Sequence, residues 1–162
     1  MAVIDASVLI PVARTGKLFL LKKYFKAVHT TALVEQEILA KELGLTELRK
    51  ALRAWIYVKE TGELKEISML AHAENLSEAD ASLLWLAEKN KETLMTSDYR
   101  LTRVAKARNV EALWLTAWVL VLAKEGMLSK KEAKDFLLEL VKSGVWLKAT
   151  VFADIEKRID EL

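Results

Sequence analysis

Cysteine is absent from the sequence, and its 162 residues include only one proline and five glycines. Without cysteine the protein has no disulfide, no thiolate zinc site and no cysteine nucleophile, which is compatible with a reducing compartment. Hydrophobic residues make up 52% of the chain and charged residues 30%. This composition excludes extended disorder and is typical of a helix-rich domain with a sizeable core.

Long hydrophobic runs are also absent. No apolar segment reaches the ~20 residues that cross a bilayer, and the N-terminal segment lacks the basic region and cleavage site of a signal peptide. We therefore expect a cytoplasmic protein that does not bind membranes. The net charge of +2 is too small to establish nucleic-acid binding, so any basic surface has to be local.

Short apolar segments alternate with helical ones along the chain. Strands that alternate with helices predict right-handed crossovers and a parallel sheet covered by helices on both faces. The WIYVKE segment has the polar alternation of an edge strand. The predicted strands are AVID (2–5), AVH (27–29), WIYVKE (55–60), TLMTSD (93–98) and ALWLT (112–116).

Capping and breaking residues mark the limits of the predicted helices. We expect one domain over residues 1–162, in which the last ~45 residues form additional C-terminal helices. The signals are the break at Thr15-Gly16, the N-caps Thr30-Thr31, Ser77 and Ser129, the helix start at Thr46, and Gly44 as the end of ALVEQEILAKEL.

Several carboxylates fall where an open parallel sheet binds ligands, beyond the carboxyl ends of its strands. Asp5 ends the first predicted strand and Asp98 follows the fourth. On the helix after Ser77, periodicity places Asp80 beside the buried stripe and leaves Glu78 more exposed. In the preceding acidic helix, periodicity does not separate Glu35 from Glu37.

Each acid also has a purely structural interpretation. Asp5 and Asp98 can cap the helices that follow them, and Asp80 can be the third residue of a capping box begun by Ser77. Glutamates on a surface helix usually form a solvated face. The convergence of four acids on one sheet edge nevertheless favours a site for a hard divalent cation, because gathered carboxylates repel unless a cation holds them ionised.

Four motifs at these residues resemble those of PIN-domain nucleases. Their order and spacing match the family over residues 1–115, and the tail from Leu115 to Gly144 resembles one prokaryotic PIN subfamily. The family pattern, an acid followed directly by Ile, Val or Leu, selects Glu37 over Glu35, and the resemblance also selects Asp80 over Glu78. The motifs are VIDAS with Asp5, ALVEQEI with Glu37, LSEADASLLWLA with Asp80 and TLMTSDYRLTRVA with Asp98.

The resemblance implies a three-layer α/β/α fold with a five-stranded parallel sheet and a metal-dependent endoribonuclease activity. The four acids would hold one or two Mg²⁺ or Mn²⁺ ions that activate water for attack on a phosphodiester. Ser7 and Ser97 would orient the acids or contact metal-bound water, or would only cap helices. The resemblance further implies the toxin of a toxin–antitoxin pair, in the manner of VapC, with an antitoxin protein as partner and a homodimer as the assembly.

Cationic side chains near the motifs are candidates for contacts with the phosphates of single-stranded RNA. These are Arg14, Lys17, Arg100 and Arg103, for which a solvated helix face is the competing interpretation. Among the aromatic residues, Trp85 is a candidate for base stacking or a dimer contact. Trp114 and Trp118 are expected in the core, and His29 and His72 are expected to be packing or surface residues.

Other α/β families fit the sequence less well. A phosphoacceptor receiver domain needs paired acids after the first strand and an Asp after the third, and both are missing here. A haloacid-dehalogenase-type phosphatase needs a second Asp at the position of Ser7. The remaining alternative is a PIN fold that acts as an RNA-binding or assembly module with weak catalysis or none.

Overall fold

The computed structural model describes residues 1–41 and 45–162. The strands are β1 (Ala2–Ile4), β2 (Val28–Thr31), β3 (Ile56–Lys59), β4 (Thr93–Thr96) and β5 (Ala112–Trp114). The helices are α1 (Ala6–Arg14), α2 (Phe19–Tyr24), α3 (Ala32–Ala40), α4 (Thr46–Ala54), α5 (Leu64–Glu74), α6 (Glu78–Asn90), α7 (Tyr99–Ala107), α8 (Leu115–Lys124), α9 (Lys130–Lys142) and α10 (Ala149–Asp160).

The five strands form one parallel sheet in the order β3-β2-β1-β4-β5. Helices flank it, so the predicted three-layer α/β/α architecture is confirmed. The central strand β1 is buried along its whole length, because a parallel sheet is covered on both faces. The predicted edge strand, β3, does lie at one edge of the sheet.

The local signals place most of the helix starts correctly. Thr31, Ser77 and Ser129 each cap a helix by accepting a hydrogen bond from a backbone N–H three residues later. The first helical stretch is divided as expected, since α1 has its C-cap at Thr15. The predicted end of α3 at Gly44 lies outside the described residues, and α3 itself ends at Ala40.

Helix α5 was not predicted from the sequence. Its buried residues are Ile67 and Ala71, which form a small cluster with Ala81 of α6 apart from the main core. A helix that buries so little apolar surface has a weak hydrophobic pattern, so its position depends on packing against α6.

The C-terminal helices join the same core as the sheet. Trp118 of α8 is fully buried, as expected, and its ring lies 6.2 Å from that of Phe136 of α9 in an edge-to-face arrangement. Ile159 of α10 is also fully buried. In the described parts of the chain, no helix is long and apolar enough to span a membrane.

Candidate active site at the carboxyl edge of the sheet

A cavity of about 660 Å³ lies beyond the carboxyl ends of the central strands. Four carboxylates from four different elements line this acidic cavity: Asp5 after β1, Glu37 on α3, Asp80 on α6 and Asp98 after β4. Glu35 is not among the residues that line it. The fold therefore brings the four predicted site residues together around one cavity, although they lie far apart in the sequence.

Asp5 is held in place by two hydroxyl groups. The backbone of Asp5 occupies the N-cap position of α1, but its side chain makes no capping hydrogen bond. Its Oδ2 instead accepts hydrogen bonds from Ser7 Oγ at 2.5 Å and Thr96 Oγ1 at 2.9 Å. The interpretation of the Asp5 side chain as a helix cap is therefore wrong, since its hydrogen bonds go to Ser7 and Thr96 and not to the start of α1.

Ser7 connects the segment that follows β1 to the segment that follows β4. Its Oγ donates to Asp5 and accepts a hydrogen bond from the backbone N–H of Ser97 at 3.0 Å. Ser97 Oγ in turn donates to the backbone carbonyl of Ser7 at 3.4 Å. Ser7 therefore hydrogen-bonds one of the four acids, and Ser97 hydrogen-bonds the backbone of Ser7.

Asp98 has a structural role as well as a place in the cavity wall. Its Oδ1 accepts a hydrogen bond from the backbone N–H of Leu101 at 2.8 Å and so caps α7. On α6, Ser77 Oγ accepts the backbone N–H of Asp80 at 3.0 Å, so that cap is made by the serine. Capping and cavity lining therefore coexist at Asp98.

The electrostatics of the cavity are clearest at Asp80. The pKa of Asp80 rises from 3.8 to about 6, first because of burial and then because of the negative charge of Asp5, while a hydrogen bond with Ser77 opposes the rise. Asp98 and Glu37 add smaller contributions in the same direction as Asp5. The other three carboxylates thus lie close enough to Asp80 to disfavour its charged form, and a bound cation would relieve this repulsion.

The donor chemistry of the cavity suits a hard divalent ion, since every acidic donor is an oxygen. In residues 1–41 and 45–162, however, no group of three or more Asp, Glu or His side chains is arranged so that it could hold a metal ion. The acids surround the space without forming a closed ligand shell. The donor types therefore fit Mg²⁺ or Mn²⁺, and binding would require the side chains to move together.

The four candidate RNA-binding cations do not lie together on one surface. Arg14 lines the acidic cavity and donates to the carbonyl of Ser143 at 3.3 Å. Lys17 forms an ion pair with Glu139 of α9. Arg100 and Arg103 line a second cavity, of about 520 Å³, which we call the basic cavity.

Two tryptophans at the acidic cavity were not identified as site residues from the sequence. Trp114 was expected in the core, but this prediction is wrong: it ends β5, is 37% exposed and lines the cavity. Trp146 lies between α9 and α10, is 80% exposed and lines the same cavity. No sequence pattern identifies Trp146, since helical or strand periodicity does not extend through residues 143–148.

The other singled-out aromatic and histidine residues lie elsewhere. Trp85 is half-buried and donates from Nε1 to Glu66 of α5 at 2.8 Å, so it makes a contact within the chain. His29 is buried and its Nδ1 lies 2.7 Å from Glu92, whereas His72 is exposed. Both histidines are thus the packing and surface residues expected.

The sequence matches the family model of the PIN domain over residues 1–161. The chain belongs to the PIN-domain family. PIN domains are generally nucleases, so the family indicates a hydrolase that acts on nucleic acid.

The fold of this PIN domain is similar to that of PAE2754 from Pyrobaculum aerophilum, known from a crystal structure. The TM-score is 0.55 at 22% sequence identity, and the match covers 76% of this chain and 95% of that one. At this identity the similarity supports the PIN fold alone. Comparison with curated proteins gives no match.

Proposed function

We propose that this PIN domain is an endoribonuclease that hydrolyses RNA phosphodiester bonds with Mg²⁺ or Mn²⁺. The observation that carries the proposal is the convergence of Asp5, Glu37, Asp80 and Asp98 on one cavity at the carboxyl edge of the sheet. Three of these carboxylates raise the pKa of the fourth, Asp80, and a bound cation would offset this unfavourable arrangement.

The four acids would hold the metal, which supplies an activated water and charge stabilisation for in-line displacement at phosphorus. The chain's own residues prepare this arrangement. Ser7 and Thr96 fix the orientation of the Asp5 carboxylate through their hydroxyl groups. Arg14 and Lys41 line the same cavity and would attract the substrate phosphates.

The proposal also covers the biological setting. The substrate is single-stranded RNA, and the protein is the toxin of a toxin–antitoxin pair that acts in the cytoplasm as a homodimer. Its antitoxin is a second protein. Residues 1–162 form one PIN domain in which α8, α9 and α10 are the additional C-terminal helices.

The experiment is cleavage of a labelled single-stranded RNA pool with Mg²⁺ or Mn²⁺, compared with EDTA treatment and with Asp5→Asn. We expect the substitution to lower the cleavage rate by at least ~100-fold, because the neutral amide removes a ligand charge. Circular dichroism and thermal unfolding would check that the variant is folded. Equal cleavage by wild type, Asp5→Asn and EDTA-treated protein would refute the proposal.

A second candidate is an RNA-binding or assembly module with weak catalysis or none. It is favoured by one observation, the lack of a metal-holding group of three acids among the described residues. Thermal unfolding with and without Mn²⁺ separates the two functions. A module would show no thermal stabilisation by Mn²⁺ and no cleavage of any RNA pool. The nuclease would be stabilised by Mn²⁺ and would cleave RNA.

A further inference from the structure

We propose that Trp114 and Trp146 form a stacking site for the unpaired bases of RNA beside the four carboxylates. This inference rests on the proposed function, since it takes RNA as the substrate, and it assigns the residues that hold the bases. Together with Tyr99, these residues form what we call the aromatic track.

The two tryptophans come from distant parts of the chain and line the same cavity as the acids. Trp114 is 37% exposed at the end of β5, and Trp146 is 80% exposed between α9 and α10. Trp118, four residues after Trp114, is fully buried. Exposed indole rings concentrated at one cavity mark a place for a flat ligand better than scattered surface residues do.

Tyr99 joins the aromatic track to the basic cavity. Its ring is 61% exposed and lies 6.1 Å from the ring of Trp114, tilted by 38°. The guanidinium of Arg103 also lies 5.8 Å from the Tyr99 ring. Tyr99 also lines the basic cavity with Arg100 and Arg103. The Trp114–Tyr99 pair therefore connects the acidic cavity to the basic one.

This order of charges and rings suits a single strand. The basic cavity can hold phosphates at one end of the track, because its acidic lining residue, Glu74, is paired with Arg108 and leaves Arg100 and Arg103 to supply positive charge. The acidic cavity repels phosphates unless a cation is bound there. Bases stacked on the rings would keep the strand in place between the two cavities. In a duplex the base faces are already covered, so stacking of this kind selects unpaired nucleotides.

The test is direct binding in EDTA, where metal-dependent cleavage cannot occur. Fluorescence anisotropy would measure the Kd of an unstructured labelled RNA of about 12 nucleotides. We expect Trp146→Ala to raise the Kd by roughly tenfold, and Trp146→Phe, which keeps an aromatic face, to stay within roughly threefold of wild type. Trp114→Ala should act in the same direction, and Trp85→Phe is the control at a tryptophan away from the acidic cavity.

An abasic oligomer of the same length and charge separates stacking from electrostatic attraction. Wild type and Trp146→Ala should bind it equally weakly, because the bases that stack are missing. An equal loss of affinity for RNA and for the abasic oligomer would overturn the inference. Unchanged RNA binding by folded Trp146→Ala and Trp114→Ala would also overturn it and would favour a protein partner on this surface.

The two proposals fail separately in these experiments. Metal-dependent cleavage with no effect of the tryptophan substitutions on RNA binding would refute the stacking site and leave the nuclease proposal intact. Tryptophan-dependent binding without cleavage in any metal would refute only the nuclease. Thermal unfolding of each variant ensures that a loss of affinity is not a loss of folded protein.

Discussion

The carboxylates at the two ends of the parallel sheet have opposite kinds of neighbours. At the amino end, Glu92 directly precedes β4, is only 5% exposed and lies 2.7 Å from Nδ1 of His29 on β2. At the carboxyl end, Asp80 faces other acids, and its pKa is raised to about 6 by burial and by Asp5 before any other charge. The buried Glu92 has a partner within the chain, whereas the half-buried Asp80 has neighbours of its own sign.

This difference separates structural from functional carboxylates. A buried charge that serves the fold is matched by a protein group, because an unmatched one is costly. A cluster of like charges that the fold leaves in place points to a ligand from outside the chain. The comparison therefore supports the proposed cation site at the carboxyl end of the sheet, and the following substitutions test this proposal at both ends.

The largest expected effect is on α3, where two glutamates differ in their position relative to the acidic cavity. Glu37 lines the cavity and Glu35 does not. We expect Glu37→Gln to lower metal-dependent RNA cleavage by roughly 100-fold, because a ligand charge is lost. Glu35→Gln is the matched control and should retain wild-type cleavage rates. Equal losses in the two variants would contradict the assignment.

A smaller effect is expected along β4, which has a threonine at each end. Thr96 Oγ1 donates to Asp5 at the carboxyl end, whereas Thr93 Oγ1 donates to Glu111 at the amino end. Thr96→Val should lower cleavage by roughly tenfold, since the Asp5 carboxylate loses a group that orients it. Thr93→Val should leave cleavage unchanged. A Thr96→Val enzyme with full activity would show that this hydrogen bond does not position Asp5.

The smallest expected effect is on the free energy of unfolding, and its sign differs between the carboxyl end and the amino end of the sheet. In metal-free protein at pH 7, Asp80→Asn should raise the free energy of unfolding by about 1 kcal/mol, a value reduced for solvent screening of a half-buried group. Glu92→Gln should lower it by about 1 kcal/mol, because the hydrogen bond between the Glu92 carboxyl group and His29 Nδ1 is lost. Urea unfolding measures both, and changes of the same sign would contradict the comparison.

The pH dependence follows from the raised pKa of Asp80. Between pH 3.8 and about 6 the folded protein binds the Asp80 proton more tightly than the unfolded chain does, so stability falls as the pH rises through this window. The stability difference between Asp80→Asn and wild type should therefore grow from pH 4 to pH 6 and then level off. Added Mn²⁺ should reduce the difference, and a difference that is constant with pH would refute this explanation.

Much of the fold and of the acidic cavity was predictable because the decisive interactions are local. The caps at Ser77 and Ser129 use a hydrogen bond to a residue three positions later, so a short sequence window contains both partners. The end of a short apolar strand likewise places Asp5 at the carboxyl edge. Glu37 was separated from Glu35 only by family resemblance, since helical periodicity left both possible.

The alternation of strands and helices follows from local sequence patterns, and so does the placement of acids at the ends of strands or the starts of helices. Tertiary structure alone decided that Thr96 holds Asp5 across 91 positions, that α5 packs on α6, and that Trp114 and Trp146 are exposed at the same cavity. The reason is physical: hydrophobic periodicity reports the average face of an element, whereas a hydrogen bond or an exposed ring depends on which distant segment is packed beside it.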